Sequence, residues 1–279
     1  MKKIISLTVA LLMFFGMFNI FVFAEDDKKF YVVLGDSIAY GSGLKNSQEA
    51  CYGKIVADTN GYDYVNHAVP GHTSTDLISL LDDETVISDI IKADIISISA
   101  GGNDFLKNNP SDLIFDAALE DDYSGFGEIS QMFYENFSQI IDKINLLNPD
   151  AVIIMQTLYN PQSGDLGILY QHGVDEINSK IYLYAENNPG EIYVADVACA
   201  FGDDLKNIAK DGIHPSAKGN VIIAETILDL LFELDLGTSD IPVIAEEGKD
   251  IRASFFRNFA MKLLPYIIKL IAYFYRLTV

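Results

Sequence analysis

The 279-residue chain has no tryptophan, two cysteines, four histidines and, between residues 25 and 251, no arginine. Each scarcity excludes something. In residues 25–251, forty acidic residues face twelve lysines, a net charge of −28. Such a body repels nucleic-acid phosphates, so no nucleic-acid partner is expected. The absence of tryptophan does not favour a typical sugar-stacking platform. No His-Glu-x-x-His run and no clustered His/Cys/Asp ligand spacing occurs, which argues against a zinc hydrolase and leaves no metal expected. Cys51 and Cys199 permit one disulfide or two buried thiols, and sequence does not choose between them. No internal repeat stands out.

What is present is globular. The chain is 49% hydrophobic and 21% charged, long enough for one α/β domain with a full core. Lys2 and Lys3 precede an almost wholly apolar run from Ile4 to Phe23, and Val22-Phe23-Ala24 fits the small-residue cleavage rule. Residues 1–24 therefore read as an export signal, with Glu25 opening the mature chain. Because the run nears the ~20 residues that span a bilayer, an uncleaved N-terminal anchor is the competing reading. No cysteine stands nearby to carry a lipid. The expected location is secreted or at the extracellular cell surface.

The body divides into a domain over residues 25–235, a Gly-, Pro- and acid-bearing linker over 236–251, and a basic tail over 252–279. The tail holds all three arginines and two further lysines, with no acid. Lys262, Lys269 and Arg276 lie seven apart on one stripe, largely opposite Phe256, Phe259, Leu263, Ile267, Leu270 and Phe274. This spacing predicts an amphipathic helix, with Pro265 able to kink it. Such a helix could lie on an anionic membrane surface, dock on the domain or dimerise.

Five short apolar runs predict strands at 30–34, 63–66, 94–99, 151–156 and 192–196. Helical spacing joins Ile129, Phe133, Phe137, Ile140, Ile141 and Ile144, with Ser130 as the candidate start, and a second helix covers 216–234. Buried strands alternating with helices predict a mostly parallel sheet covered on both faces, with its site beyond the carboxyl ends of the strands.

Those ends carry the polar chemistry. Gly35-Asp36-Ser37-Ile38 follows the first strand and Val69-Pro70-Gly71-His72 the second. Gly101-Gly102-Asn103-Asp104 follows the third and Asp211-Gly212-Ile213-His214 the fifth. A serine hydroxyl is a poor nucleophile until a base takes its proton, and a neutral histidine does this near pH 7. A carboxylate on the other ring nitrogen fixes the tautomer. A glycine lets a backbone N–H approach an oxyanion, and an asparagine amide adds a second donor. Taken alone, Ser37 could simply cap a helix. Asp36 and Asp104 read as loop-holding residues, and Asn66 reads as a turn former. His72 is a candidate pocket residue, while His67 and His172 show no partner pattern.

With these four blocks in order, the chain resembles the SGNH (GDSL-type) hydrolases over about residues 30–235, with Ile38 where the family often has leucine. No Gly-x-Ser-x-Gly elbow surrounds Ser37, which separates it from the α/β-hydrolases. The resemblance implies a three-layer α/β/α sandwich with a flavodoxin-like, mostly parallel five-stranded sheet, here followed by a C-terminal amphipathic helix. It implies Ser37 as nucleophile, His214 as base and Asp211 as its orienting acid. The oxyanion donors would be the Ser37 and Gly71 N–H groups and the Asn103 side chain. No cofactor is implied. The expected reaction is hydrolysis of a small-molecule or lipid ester, with a lysophospholipid among the candidates. The alternatives are a carbohydrate O-deacetylase of the same fold and a non-catalytic surface binding protein. The segments 108–127 and 159–164 read as insertions that shape the substrate pocket.

Overall fold

A computed structural model of the chain describes residues 28–108 and 110–252, and residues 263, 266–268, 270 and 271 of the tail. The expected signal or anchor over residues 1–24, and most of 252–279, lie outside the described residues.

The chain runs β1 (Phe30–Gly35), α1 (Ser37–Tyr40), α2 (Ser47–Ala50), α3 (Tyr52–Asn60), β2 (Asp63–Asn66), α4 (Ser74–Leu80), α5 (Glu84–Ile90) and β3 (Ile95–Ser99). Then come α6 (Gly102–Lys107), α7 (Pro110–Phe115), a π-helical turn (Asp116–Glu120), α8 (Ser124–Leu147) and β4 (Val152–Gln156). The last part holds α9 (Gly164–Asn187), β5 (Tyr193–Ala195), α10 (Val197–Phe201), a 3-10 turn (Leu205–Asn207) and α11 (Ala217–Glu233). All strand pairs are parallel, in the order β2-β1-β3-β4-β5. This is the flavodoxin-like order, whose switch point falls between β1 and β3.

The strands alternate as a doubly covered sheet requires. Val32, Leu34, Ile96, Ile98, Ile153 and Met155 face one layer, with side chains from α4, α5, α8 and α9. Tyr31, Val33, Ile95 and Ile154 face the other, with α3, α10 and α11. Each fully buried Ile or Leu stabilises the fold by roughly 1.5–3 kcal/mol relative to exposure. The expected three-layer α/β/α sandwich is therefore present.

Three local expectations change. Ser130 does not start its helix: α8 begins at Ser124, and the buried Ser130 hydroxyl donates to Gly127 O at 3.0 Å and to Glu176 Oε2 at 2.9 Å. Residues 110–120, read only as part of an insertion, are helical. Residues 164–187, to which the strand-and-helix reading gives no element, form one long helix that buries Val174, Ile177, Ile181 and Tyr184.

The stretch read as a linker is fastened along its length. Tyr62 Oη donates to Leu236 O at 2.5 Å, Thr238 N to Asn60 Oδ1 at 2.8 Å, and Val243 N to Thr59 Oγ1 at 2.8 Å. Asp250 bridges antiparallel to Leu44 and accepts from Ala217 N, the first residue of α11, at 2.8 Å. In the tail, residues 263, 266–268, 270 and 271 are helical. Ile268 is buried, while Leu263, Tyr266, Ile267, Leu270 and Ile271 are exposed. No helix among the described residues is long and apolar enough to cross a membrane.

Candidate active site

The β1 strand ends at Gly35, and Asp36 caps the short helix α1 by accepting from Ile38 N at 2.9 Å. Ser37 is thereby placed at the first helical position, where its N–H has no intrahelical acceptor. Asp36 is buried and also accepts from Ser99 Oγ at 3.2 Å. Burial raises its pKa to about 6, with the Ile38 and Ser99 hydrogen bonds pulling the other way.

Gly71 sits in the loop between β2 and α4 with φ +87°, a conformation that side chains disfavour. Asn66 shapes this loop in two ways: its Oδ1 accepts from Ala68 N at 2.9 Å, and its Nδ2 donates to Ala39 O at 2.9 Å. It is thus both the expected turn former and a tie to the serine helix.

Asn103 lies in the first turn of α6, and its Nδ2 donates to His72 O at 2.9 Å. That bond joins the asparagine to the Gly71 loop. Beside it, buried Asp104 accepts from Ser74 Oγ at 2.5 Å and from Ser74 N, and Asn136 Nδ2 donates to the same hydroxyl at 2.9 Å. Burial raises the Asp104 pKa. Asp36 and Asp104 hold loops, as the sequence predicts.

Asp211 and His214 follow the 3-10 turn. Asp211 is buried; its Oδ1 accepts from Ile213 N and His214 N at 3.0 Å each, and its Oδ2 lies 2.6 Å from His214 Nδ1. One carboxylate thus fixes both backbone and ring. Burial pulls the His214 pKa below its ordinary value, opposed by the nearby Asp36 carboxylate. The loop also packs on the serine side, since a Cβ at Gly43 would stand 2.9 Å from His214 Cβ.

Ser37, Asn103 and Asp36 open on a cavity of about 150 Å³, whose lining also includes Ile213 from the histidine loop. Gly71 and His72 do not line it, and His72 Nδ1 is buried without a partner. The other histidines have neighbours that the sequence does not announce. His67 Nε2 lies 2.8 Å from Asp89 Oδ2, and the His172 ring centroid lies 4.1 Å from that of Tyr123.

Two further residues hold the histidine loop. Tyr159 Oη donates to Ile213 O at 2.8 Å, and Gln162 Nε2 donates to Gly212 O at 2.5 Å. Sequence reading places both only in a pocket-shaping insertion, because bonds to backbone carbonyls leave no residue pattern. Both cysteines are free thiols, Cys51 buried and Cys199 exposed. Among the described residues, no group of three or more His, Cys, Asp or Glu side chains could hold a metal ion.

The family model of the GDSL-like lipase/acylhydrolases matches residues 33–222. The chain is 26% identical over 221 residues to an uncharacterised Bacillus subtilis protein, YpmR, covering 73% of this chain and 82% of that one. It is 24% identical over 208 residues to the spore germination lipase LipC of Bacillus licheniformis, covering 71% and 93%. The fold matches that of the lipase Lip_vut3 from a goat rumen metagenome with a TM-score of 0.60 at 22% identity, over 78% of this chain and all of the other.

Proposed function

The chain belongs to the GDSL-like lipase/acylhydrolase family, and from that premise we propose that it is a carboxylic ester hydrolase working through a Ser37 acyl-enzyme. The observation that carries this reading is the Asp211–His214 pair at 2.6 Å, held in a loop that shares a cavity wall with Ser37 and Asn103. His214 Nε2 takes the Ser37 proton as Oγ bonds to the ester carbonyl carbon. The ester oxygen then leaves as the alcohol, carrying the proton from His214. Water repeats the sequence, releasing the acid and freeing Ser37. The oxyanion of both tetrahedral steps is met by the Ser37 and Gly71 N–H groups and by the Asn103 amide. Asp211 fixes the tautomer of the imidazole through Nδ1 and leaves Nε2 to act as the base.

Replacement of Ser37 by alanine is expected to lower kcat on p-nitrophenyl esters by at least about 10³-fold with the melting temperature preserved, since the nucleophile acts only with its base. A fluorophosphonate is expected to label wild-type Ser37. Full activity in the alanine protein would sink the reading. Absence of labelling in folded wild type would favour a non-catalytic binding protein.

A second reading concerns location. We infer that the chain is exported and that its tail meets an anionic membrane surface. The supporting observation is the exposure of Leu263, Tyr266, Ile267, Leu270 and Ile271 in a tail with five cations and no acid. The full chain should sediment with phosphatidylglycerol vesicles and much less with phosphatidylcholine vesicles. Equal sedimentation with both would contradict the charge argument.

A further inference from the structure

Most of the wall of the Ser37 cavity has no part in the proton transfers above. Phe105 from α6, Leu113 from α7, Phe126 from α8, and Leu169 and Val174 from α9 close it with apolar surface. The α9 helix adds Gly173, an interior glycine in a 24-residue helix, where alanine would be favoured by propensity. A Cβ there would stand 3.3 Å from Cδ2 and Cε2 of Phe105, whose ring centroid lies 5.6 Å from that of Phe126. A side chain at 173 must therefore displace Phe105 or enter the cavity.

Size sets what fits. An apolar cavity of ~150 Å³ holds a benzene molecule, so six carbons fill a space of this size. An acetyl group would leave most of this wall uncovered, whereas a palmitoyl chain would have to leave the cavity.

We propose that this cavity receives the acyl group of the substrate, that it selects linear acyl chains of about six to eight carbons, and that Gly173 sets that length. The proposal rests on the Ser37 acyl-enzyme reading and adds the acyl class to it. Each buried methylene strengthens binding roughly three- to fourfold, so preference climbs with chain length until the cavity is full, then falls.

The test is kcat/KM on p-nitrophenyl esters from acetyl to palmitoyl, for wild type, Gly173→Leu and Leu113→Ala, with melting curves for each. Wild type should peak at hexanoyl or octanoyl, at least about tenfold above acetyl. Gly173→Leu should lower the hexanoyl-to-acetyl ratio at least about tenfold. Leu113→Ala, enlarging the cavity from α7, should move the peak toward longer chains, and it tests the wall independently if Gly173→Leu does not fold. A wild-type maximum at acetyl, or a profile that keeps its shape in both folded variants, overturns the proposal while leaving the acyl-enzyme intact. Hydrolysis of every chain length that persists in Ser37→Ala overturns the acyl-enzyme reading instead.

Discussion

The two sides of the cavity are built by different means. On the side of β1, β2 and β3, polar side chains hold each loop: Asp36 caps the serine helix, Asn66 ties the Gly71 loop to Ala39, and Asp104 binds Ser74. On the side lined by Phe105, Leu113, Phe126, Leu169 and Val174, the wall itself is rings and aliphatic groups, as in the contact of Phe105 with Phe126, while hydrogen bonds such as Ser130 to Glu176 lie outside the lining. Hydrogen bonds fix atoms to tenths of an ångström, as oxyanion stabilisation requires. Apolar packing fixes volume, and volume decides which acyl group fits. Reaction and selectivity should therefore respond to different substitutions.

Asp104 gives the larger expected effect. It does not itself line the cavity, yet it connects Asn103's helix to the residue three beyond Gly71. Asp104→Ala strands the Ser74 N–H and should cost about 1–3 kcal/mol of stability. Loosening two oxyanion elements by a fraction of an ångström should lower kcat about 10- to 100-fold. KM should change little, because the oxyanion exists only in the transition state. Asp104→Asn keeps an acceptor for Ser74 and should recover most of kcat. A loss confined to KM, or no rescue by asparagine, would contradict a positioning role. The hexanoyl-to-acetyl ratio should stay at its wild-type value, because the apolar wall is untouched.

The same contrast explains what the sequence revealed. The polar side is legible because its residue types are fixed by chemistry and stand beside strand ends. Ser37, Gly71, Asn103, Asp211 and His214 could be singled out in this way; Ser37 and Asn103 line the cavity, the Asp211–His214 loop reaches it through Ile213, and Gly71 does not line it. The apolar side is not legible. The helix α9 carries Gly164, Gly167 and Gly173 among polar residues, which obscures its spacing of Val174, Ile177, Ile181 and Tyr184. Residues 110–120 read only as part of an acidic insertion, and their Leu113 lines the cavity rather than joining the main core. Asp250 looks like part of a linker, since its partners Leu44 and Ala217 are distant in sequence.

The smallest expected effect on turnover lies where the polar side meets the base. The charged groups acting on Asp36 are His214, which pulls its pKa down, and Asp104, which pushes it up; burial outweighs both and raises it from 3.8 to about 6. A carboxyl raised on folding adds stability that is complete below its unfolded pKa and is lost as pH rises through about 6. Relative to Asp36→Asn, the wild type should therefore lose stability between about pH 4 and pH 7, by up to ~3 kcal/mol for a shift of about two units. Taking the difference between the two proteins cancels the opposite slope of surface carboxylates such as Asp76, lowered to about 2. Catalysis should move too. His214 must be neutral to act as base, and burial places its pKa below 6.5 while the Asp36 carboxylate holds it up. Removing that carboxylate should shift the acid limb of kcat/KM to lower pH in Asp36→Asn. A limb that stays in place or moves upward would separate Asp36 from the base and leave it its bonds from Ile38 N, Ser99 Oγ and Asn103 Nδ2.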